Sequence, residues 1–339
     1  MMKNDLPLVS IIIPTYNGEK HIAQTLKSII AQDYENIEII LSDDVSTDNT
    51  VKISRELLEK SRYKFKIVER SINGGQCSAR NTGYNAASGE YVIFFDHDDM
   101  AKKNFVSLLC TEAENKNADV VFCGIKHFYE NENKFEYEPV ITKNNFITPE
   151  DYLKGWASGK IFLWSVWNFI FKKKFLDEIN LRFHEGCRLG EDTEFVLKAL
   201  SSASKVSFVE KMLYIYVHWP QQTYQKYSVT SKKFDIFKHI MFSRFRAGRY
   251  IIRHTRNLDI KNYVLNFFIP DALITYITSA VKTNSRENYN RLIKSLKHKK
   301  IRELLLSTSK FIFRKPELIF KSLMLIYAPD FYYKLRSKK

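Results

Sequence analysis

Up to Gly124 the chain alternates short, almost continuously apolar runs with helix-like segments, and this alternation restricts the fold more than any other feature. Val9–Ile13 (VSIII), Ile37–Leu41, Lys64–Glu69, Tyr91–Phe95 and Asp119–Gly124 are rich in the β-branched and aromatic residues of strands. Glu19–Gln32, Asp48–Lys60, Gln76–Ala87 and Lys102–Asn115 carry helical periodicity between them. Strands that are apolar on both faces need cover on both faces, which predicts an α/β fold with a mostly parallel, Rossmann-like sheet flanked by helices. Ligands of such sheets sit beyond the carboxyl ends of the strands, so the loops that follow each strand are the informative ones.

Those loops share a polar character. They read PTYNGEK (Pro14–Lys20), SDDVSTDNT (Ser42–Thr50), RSINGGQCSARNTG (Arg70–Gly83) and DHDDM (Asp96–Met100). Asp96, Asp98 and Asp99 crowd together although each neighbouring carboxylate raises the cost of ionising the next. Two readings of that cluster stand at this point: an acidic turn that caps the following helix, or a site for a hard divalent cation that cancels the repulsion. Four polar loops aimed at one crevice weigh towards a binding site.

Farther on, Tyr129–Asn145 turns polar and irregular. Phe162–Glu178 offers an aromatic-rich strand and short helix, and GEDTEF opens a helix with acidic residues in its first turn. Met212–Trp219 reads as another strand, and long basic helical segments follow to the end. The expected division is a nucleotide-binding half over about 1–125, an acceptor half over about 126–230, and a basic helical region over 231–339.

The ordered set VSIIIPTYNGEK…SDDVSTDNT, NGGQCSARNTGYNAASGEYVIFFDHDD and GEDTEF resembles the family 2 glycosyltransferases, from about Val9 to His218. The resemblance implies the A-type glycosyltransferase fold (GT-A). It also implies inverting transfer of a hexose or N-acetylhexosamine from a nucleotide-diphosphate sugar, with a UDP-sugar expected. Through it Asp98 of the D-x-D motif becomes a ligand of Mn2+ or Mg2+, with Asp96 at the ribose or the metal. Pro14, Thr15 and Tyr16 become the floor under the nucleobase, and Asp44 accepts a hydrogen bond from it. Arg80 is expected on the diphosphate, where a guanidinium fork suits phosphate oxygens, with Gly74 and Gly75 letting that loop approach the nucleotide. Asp192 is placed as the base, with Glu191 as helper or acceptor contact, and helix-dipole stabilisation is the competing account of that pair. Trp164, Trp167 and Asn168 fall where the family builds its acceptor cleft, although nearby aromatics serve equally well as core. His218 is a candidate metal or diphosphate contact, Val217 standing where relatives carry arginine. Val45 stands where the family more often has glycine.

Charge separates the last third from the rest. From Ser231 onward there are 25 Lys+Arg against 7 Asp+Glu, while the whole chain of 339 residues carries 53 against 38. A surface this basic meets something anionic. The apolar part of Arg314–Lys339 is too short to span a bilayer but suits the headgroup region, which implies a peripheral enzyme on the inner face of the cell membrane. A homo-oligomer contact is the alternative use of these helices. The acceptor expected is a glycan or lipid-linked glycan of the cell surface, such as capsule, lipopolysaccharide or teichoic acid. A nucleic-acid-binding protein would leave the acidic loops without a purpose, so nucleic acid is not an expected partner. A nucleotidyltransferase would want a glycine-rich phosphate loop after the first strand, where Pro14–Lys20 has one glycine. Four cysteines without a C-x-x-C pair indicate neither a zinc site nor a disulfide framework and fit a reducing cytoplasm. No stretch of about 18 apolar residues or signal-peptide pattern is present, so an integral or secreted protein is not expected.

Overall fold

The computed structural model describes residues 6–137, 148–158, 160–161, 165–219, 233–282, 286–295, 298–306, 316–330 and 332–333. By its contacts the chain divides into two compact units, Met1–Trp156 with Ile161–Pro220, and Ala157–Lys160 with Gln221–Lys339.

The first unit is an α/β structure around a nine-stranded sheet. Its strands are β1 (Val9–Thr15), β2 (Ile37–Asp43), β3 (Lys64–Glu69), β4 (Tyr91–Phe94), β5 (Met100–Ala101), β6 (Val120–Tyr129), β7 (Lys134–Tyr137), β8 (Phe169–Lys172) and β9 (Val206–His218). The spatial order is β3-β2-β1-β4-β8-β6-β9-β5, with β7 paired to β6. The block β3-β2-β1-β4 is parallel throughout. Every residue of β1, β2 and β4 is buried, as apolar runs without alternation require, whereas edge strand β3 alternates. Antiparallel β8 joins this block to β6, and β6 pairs in parallel with β9 over its whole length. The long pairings are the parallel ones.

Among the described residues this unit has helices α1 (Ile22–Ile30), α2 (Thr50–Leu58), α3 (Gln76–Ala86), α4 (Phe105–Lys116), α5 (Pro149–Ala157), α6 (Lys173–Glu178) and α7 (Glu191–Ser202). Ile22, Leu26 and Ile29 of α1 and Phe105, Val106 and Leu109 of α4 enter the same core as Ile11, Ile39 and Ile93. Because β1, β2 and β4 run the same way, the loops after them emerge along one edge. β5 returns to that edge, pairing Met100 and Ala101 with Ile215 and Tyr214 of β9. All four cysteines are buried and free.

The second unit is helical over its described residues: Lys233–His254, Leu258–Tyr263, Ile269–Lys282, Arg286–Ser295, Lys299–Leu306 and Pro316–Tyr327, with a π-helical turn at Val264–Phe268. Phe267, Ala272, Ile277, Tyr289, Leu305, Leu325 and Tyr332 form its own core. None of the described helices is long and apolar enough to cross a membrane.

Candidate active site

The loops after β1 and β2 are laced together by side chains that cap backbone N–H groups. The Asn17 N–H donates to Ser46 Oγ at 2.9 Å, Gly18 N–H to Thr50 Oγ1 at 2.7 Å, and Glu19 N–H to Asp48 Oδ2 at 3.1 Å. Pro14 and Thr15 are buried, and Thr15 donates to Asp43 Oδ1 at 3.0 Å. Tyr16 follows with its ring 51% exposed, an aromatic face offered at the mouth of the sheet. Asp44 is 2% exposed and already engaged: Arg70 binds it, and its oxygens accept the Gly74 N–H at 3.0 Å and the Gly75 N–H at 2.7 Å. Its carboxylate therefore pins the turn that starts α3, where Gly75 has a φ of 81° that only glycine adopts without strain.

The Asp96–Met100 turn is held from two sides. Thr25 of α1 donates to the carbonyls of His97 and Asp99, both at 2.8 Å, and the Trp219 indole donates to the Asp98 carbonyl at 2.8 Å. Asp99 is fully buried, accepting the Tyr214 hydroxyl at 2.7 Å and the Val217 N–H at 2.8 Å, so its part is to anchor the turn to β9. The His97 ring lies against Gly18, where a Cβ would come within 2.5 Å of it. That leaves Asp96 and Asp98, both partly exposed, as the carboxylates of the turn that are not tied to β9. Burial first, and the neighbouring Asp96 charge next, push Asp98 above the usual carboxylate range, with His97 opposing. No side chain among the described residues hydrogen-bonds to the Asp98 carboxylate.

Helix α7 begins at the same place. Gly190 precedes it in the left-handed region with a φ of 85°, and Glu191 and Asp192 open its first turn. Asp192 Oδ1 accepts Arg80 Nη1 at 2.5 Å, and the same guanidinium gives Nη2 to Asp96 Oδ1 at 2.8 Å. Gln76 donates to Asp96 Oδ1 as well, at 3.1 Å. Arg80 has no solvent exposure, against 16% for the Asp192 side chain and 18% for Asp96. Burial raises Asp192, with Arg80 pulling the other way. Glu191 is pushed up to about 7, by burial and then by the Asp192 charge, and its Oε2 finds no partner. One buried guanidinium thus bridges Asp192 at the start of α7 and Asp96 of the acidic turn.

Several of the expected site residues have other partners in the structure. Arg80, expected on the diphosphate, has both terminal nitrogens on carboxylates inside the protein, while its Nε is buried without a partner. Trp167 is not an open sugar platform: it is 8% exposed and stacks on Tyr214 with centroids 4.1 Å apart and on Tyr216 at 5.4 Å. Asn168, 4% exposed, donates to the Cys123 carbonyl at 2.7 Å and accepts from Ser165 Oγ at 3.0 Å, tying β8 to β6. Trp164 lies outside the described residues. His218 pairs with His127 at 2.9 Å and stacks 4.1 Å from the Tyr129 ring. Among the described residues no three His, Cys, Asp or Glu side chains converge as a ready-made metal site.

The sequence reading missed Arg70, Gln76, Tyr214 and Trp219 as site-building residues. Arg70 follows β3 directly and Gln76 follows the glycine pair, and that position in the loop after β3 is the signal that could have found them. Tyr214 lies between Leu213 and Ile215 in β9, Trp219 just follows that strand, and neither carries a local mark.

The solved structures most like this one include Staphylococcus aureus TarS 1–349 in complex with UDP-GlcNAc, at a TM-score of 0.62 and 20% identity over 97% of this chain and 92% of that one. Mannosyltransferase PcManGT of Pyrobaculum calidifontis, in complex with GDP-Man and Mn2+, superposes at 0.54 and 16% identity over 98% and 87%. These likenesses establish the GT-A fold. Bacillus subtilis glycosyltransferase EpsJ is 35% identical over 216 residues, 62% of this chain and 61% of its own length. The minor teichoic acid biosynthesis protein GgaB of the same species is 32% identical over 211 residues, 61% of this chain and 22% of GgaB. The chain thus spans less than two-thirds of these relatives. Since the profile of Glycosyl transferase family 2 matches residues 10–180, half of the chain and the whole of the acidic-loop edge up to β8, the chain belongs to family 2 of the glycosyltransferases.

Proposed function

We propose that this chain is an inverting transferase that moves a hexose or N-acetylhexosamine from a UDP-sugar to a hydroxyl of a cell-surface or lipid-linked glycan. The observation that carries the reading is Asp192 held beside the acidic turn by Arg80. A base for the acceptor hydroxyl and carboxylates suited to the diphosphate then share one crevice. In a single displacement the acceptor oxygen attacks the anomeric carbon and its proton passes to Asp192. The bond to the diphosphate oxygen breaks, with its electron pair leaving on the diphosphate. Glu191, one residue before the base, would serve as its helper or as an acceptor contact.

Asp98, with Asp96, would hold Mn2+ or Mg2+. Such an ion takes one or two protein carboxylates and completes its shell with phosphate oxygens, so the absence of a three-residue cluster fits. When bound, the ion offsets negative charge on the departing diphosphate. Tyr16 offers its exposed ring to the nucleobase, with Asp44 and Arg70 at its edge. The teichoic acid role in GgaB's name and the UDP-GlcNAc in the TarS complex support the choice of donor and acceptor class. The basic helical unit would keep the enzyme on the inner membrane face, where lipid-linked acceptors are met.

The test is a panel of nucleotide sugars with manganese present. One UDP-sugar should raise the melting temperature and be hydrolysed slowly without acceptor. Asp192→Asn should retain UDP binding while turnover falls by about 1,000-fold or more. A protein that binds no nucleotide sugar, or an Asp192→Asn variant that turns over within threefold of wild type, overturns the reading.

A further inference from the structure

We propose that Arg80 is a positioning residue for the base: braced by the carboxylate of Asp96, one buried guanidinium sets where the Asp192 carboxylate stands. This rests on the transferase reading above and goes past it, since that reading requires only that the two carboxylates be near.

The side chain is built for holding. It rises from the second turn of α3, a helix whose start is itself fixed by Asp44, and it is fully buried. Its guanidinium lies 5.0 Å from the centre of the Phe183 ring, which keeps the plane from turning. Nη1 and Nη2 diverge at a fixed angle, so the directions to Asp192 and Asp96 are set together. Residues 112 and 16 positions away in sequence are thereby placed against each other. A charge without any exposure is costly to desolvate and persists where its partners need it. A phosphate ligand would instead keep donors free towards the crevice. Small displacements of a catalytic group are expensive, about 100-fold for 1 Å, so loss of this strut should appear in turnover rather than in donor affinity.

The experiment uses the full chain, calorimetry with UDP and manganese, and hydrolysis of UDP-N-acetylglucosamine and UDP-glucose. Lysine keeps the charge but cannot reach both carboxylates. Arg80→Lys should lower kcat by about 100-fold while the Kd for UDP stays within about threefold. Added to Asp192→Asn it should cost nothing further, because it acts through that carboxylate. Phe183→Leu, which removes only the ring against the guanidinium, covers the case in which Arg80→Lys fails to fold: kcat should fall while the Kd for UDP stays within about threefold, again with no added loss on the Asp192→Asn background. Multiplicative losses in the double variants, or an Arg80→Lys effect confined to UDP affinity, overturn the proposal and return Arg80 to the diphosphate. A wild type that binds and hydrolyses neither nucleotide sugar counts against the transferase reading instead.

Discussion

Tyr214 and Asp99, 115 residues apart, meet in a hydrogen bond of 2.7 Å between the phenol and Oδ2, and through it the acidic turn is fastened to β9. Both groups are buried, and burial together with the Asp98 and Asp96 charges drives Asp99 well above the ordinary carboxylate range. Tyr214→Phe leaves a buried oxygen without its donor, a cost of about 1–3 kcal/mol. For a unit of this size that is a fall in melting temperature of roughly 3–10 °C, readable by calorimetry. Asp99→Asn keeps an acceptor for the Val217 N–H and gives the phenol oxygen a donor, so its loss should be smaller. A Tyr214→Phe variant as stable as wild type would show that the turn is held elsewhere.

Glu38 of β2 should set the acid limit of the first unit. It is 4% exposed and accepts from Ser10 Oγ at 2.5 Å, from the Ser88 N–H at 2.6 Å and hydroxyl at 2.8 Å, and from the Gly89 N–H at 3.0 Å. Burial pushes its carboxyl upward, but these bonds and Lys66 outweigh it, and the net direction is below the ordinary 4.5. A carboxyl lowered in the folded state stabilises above its unfolded pKa, and that contribution is lost as pH falls through the folded one. Wild type should therefore lose stability progressively below about pH 4.5, whereas Glu38→Gln should start less stable at pH 7 and show a shallower acid slope in thermal melts. Parallel slopes would remove Glu38 from that role.

What the sequence disclosed and what it hid divide along a physical line. β1, β2 and β4 were legible because a strand covered on both faces must be apolar throughout, as Ile11, Ile39 and Ile93 are, and edge strand β3 by its alternation. β5 was not, since Met100 and Ala101 become strand only by pairing with β9. The nearness of Asp192 to the acidic turn was an expectation of resemblance, but the burial of Arg80 could not be read locally, because the partner that decides it lies on α7. Trp167 misled for the same reason: an indole near a cleft and an indole under a Tyr214–Tyr216 stack have identical sequence neighbours.

Val45 occupies the position where relatives more often have glycine, and its φ of 69° says why. A β-branched residue in the left-handed region costs about 1–2 kcal/mol, against about 0.5–1 kcal/mol for the greater chain freedom of glycine. Val45→Gly should then be neutral or stabilising by up to about 1 kcal/mol, against the usual sign of a glycine substitution. Urea titration decides it. Destabilisation beyond about 1 kcal/mol would mean that packing of the isopropyl group outweighs the backbone strain.

Asp98 should trade stability for binding. Its carboxylate is raised by burial and by Asp96, so ionising it in the folded chain is unfavourable. Asp98→Asn should melt at or slightly above wild type without metal, while losing the further rise that UDP with manganese gives wild type. Chelation should bring wild type to the behaviour of the variant. A variant that still gains stability from UDP only when manganese is present would place the cation on other groups.

The basic helical unit carries a surface that fits a lipid headgroup layer. On Pro316–Tyr327, Phe320, Leu323 and Tyr327 are 48%, 43% and 66% exposed at helical spacing, while Ser322 and Leu325 on the other side are 1% exposed. The Arg302 guanidinium stands 5.9 Å from the Tyr327 ring, and Lys294, Lys299 and Leu306 are exposed on the preceding helices. Aromatic and aliphatic side chains flanked by cations suit the boundary between anionic headgroups and acyl chains. Vesicles of phosphatidylcholine with about one-third phosphatidylglycerol should co-sediment the protein, pure phosphatidylcholine much less. Phe320→Ser with Leu323→Ser and Tyr327→Ser should weaken that association by at least about 10-fold, leaving UDP binding and the melting temperature near wild type. If the triple variant instead converts a dimer to a monomer in gel filtration and sediments with vesicles as before, the stripe joins two copies of the chain rather than meeting lipid.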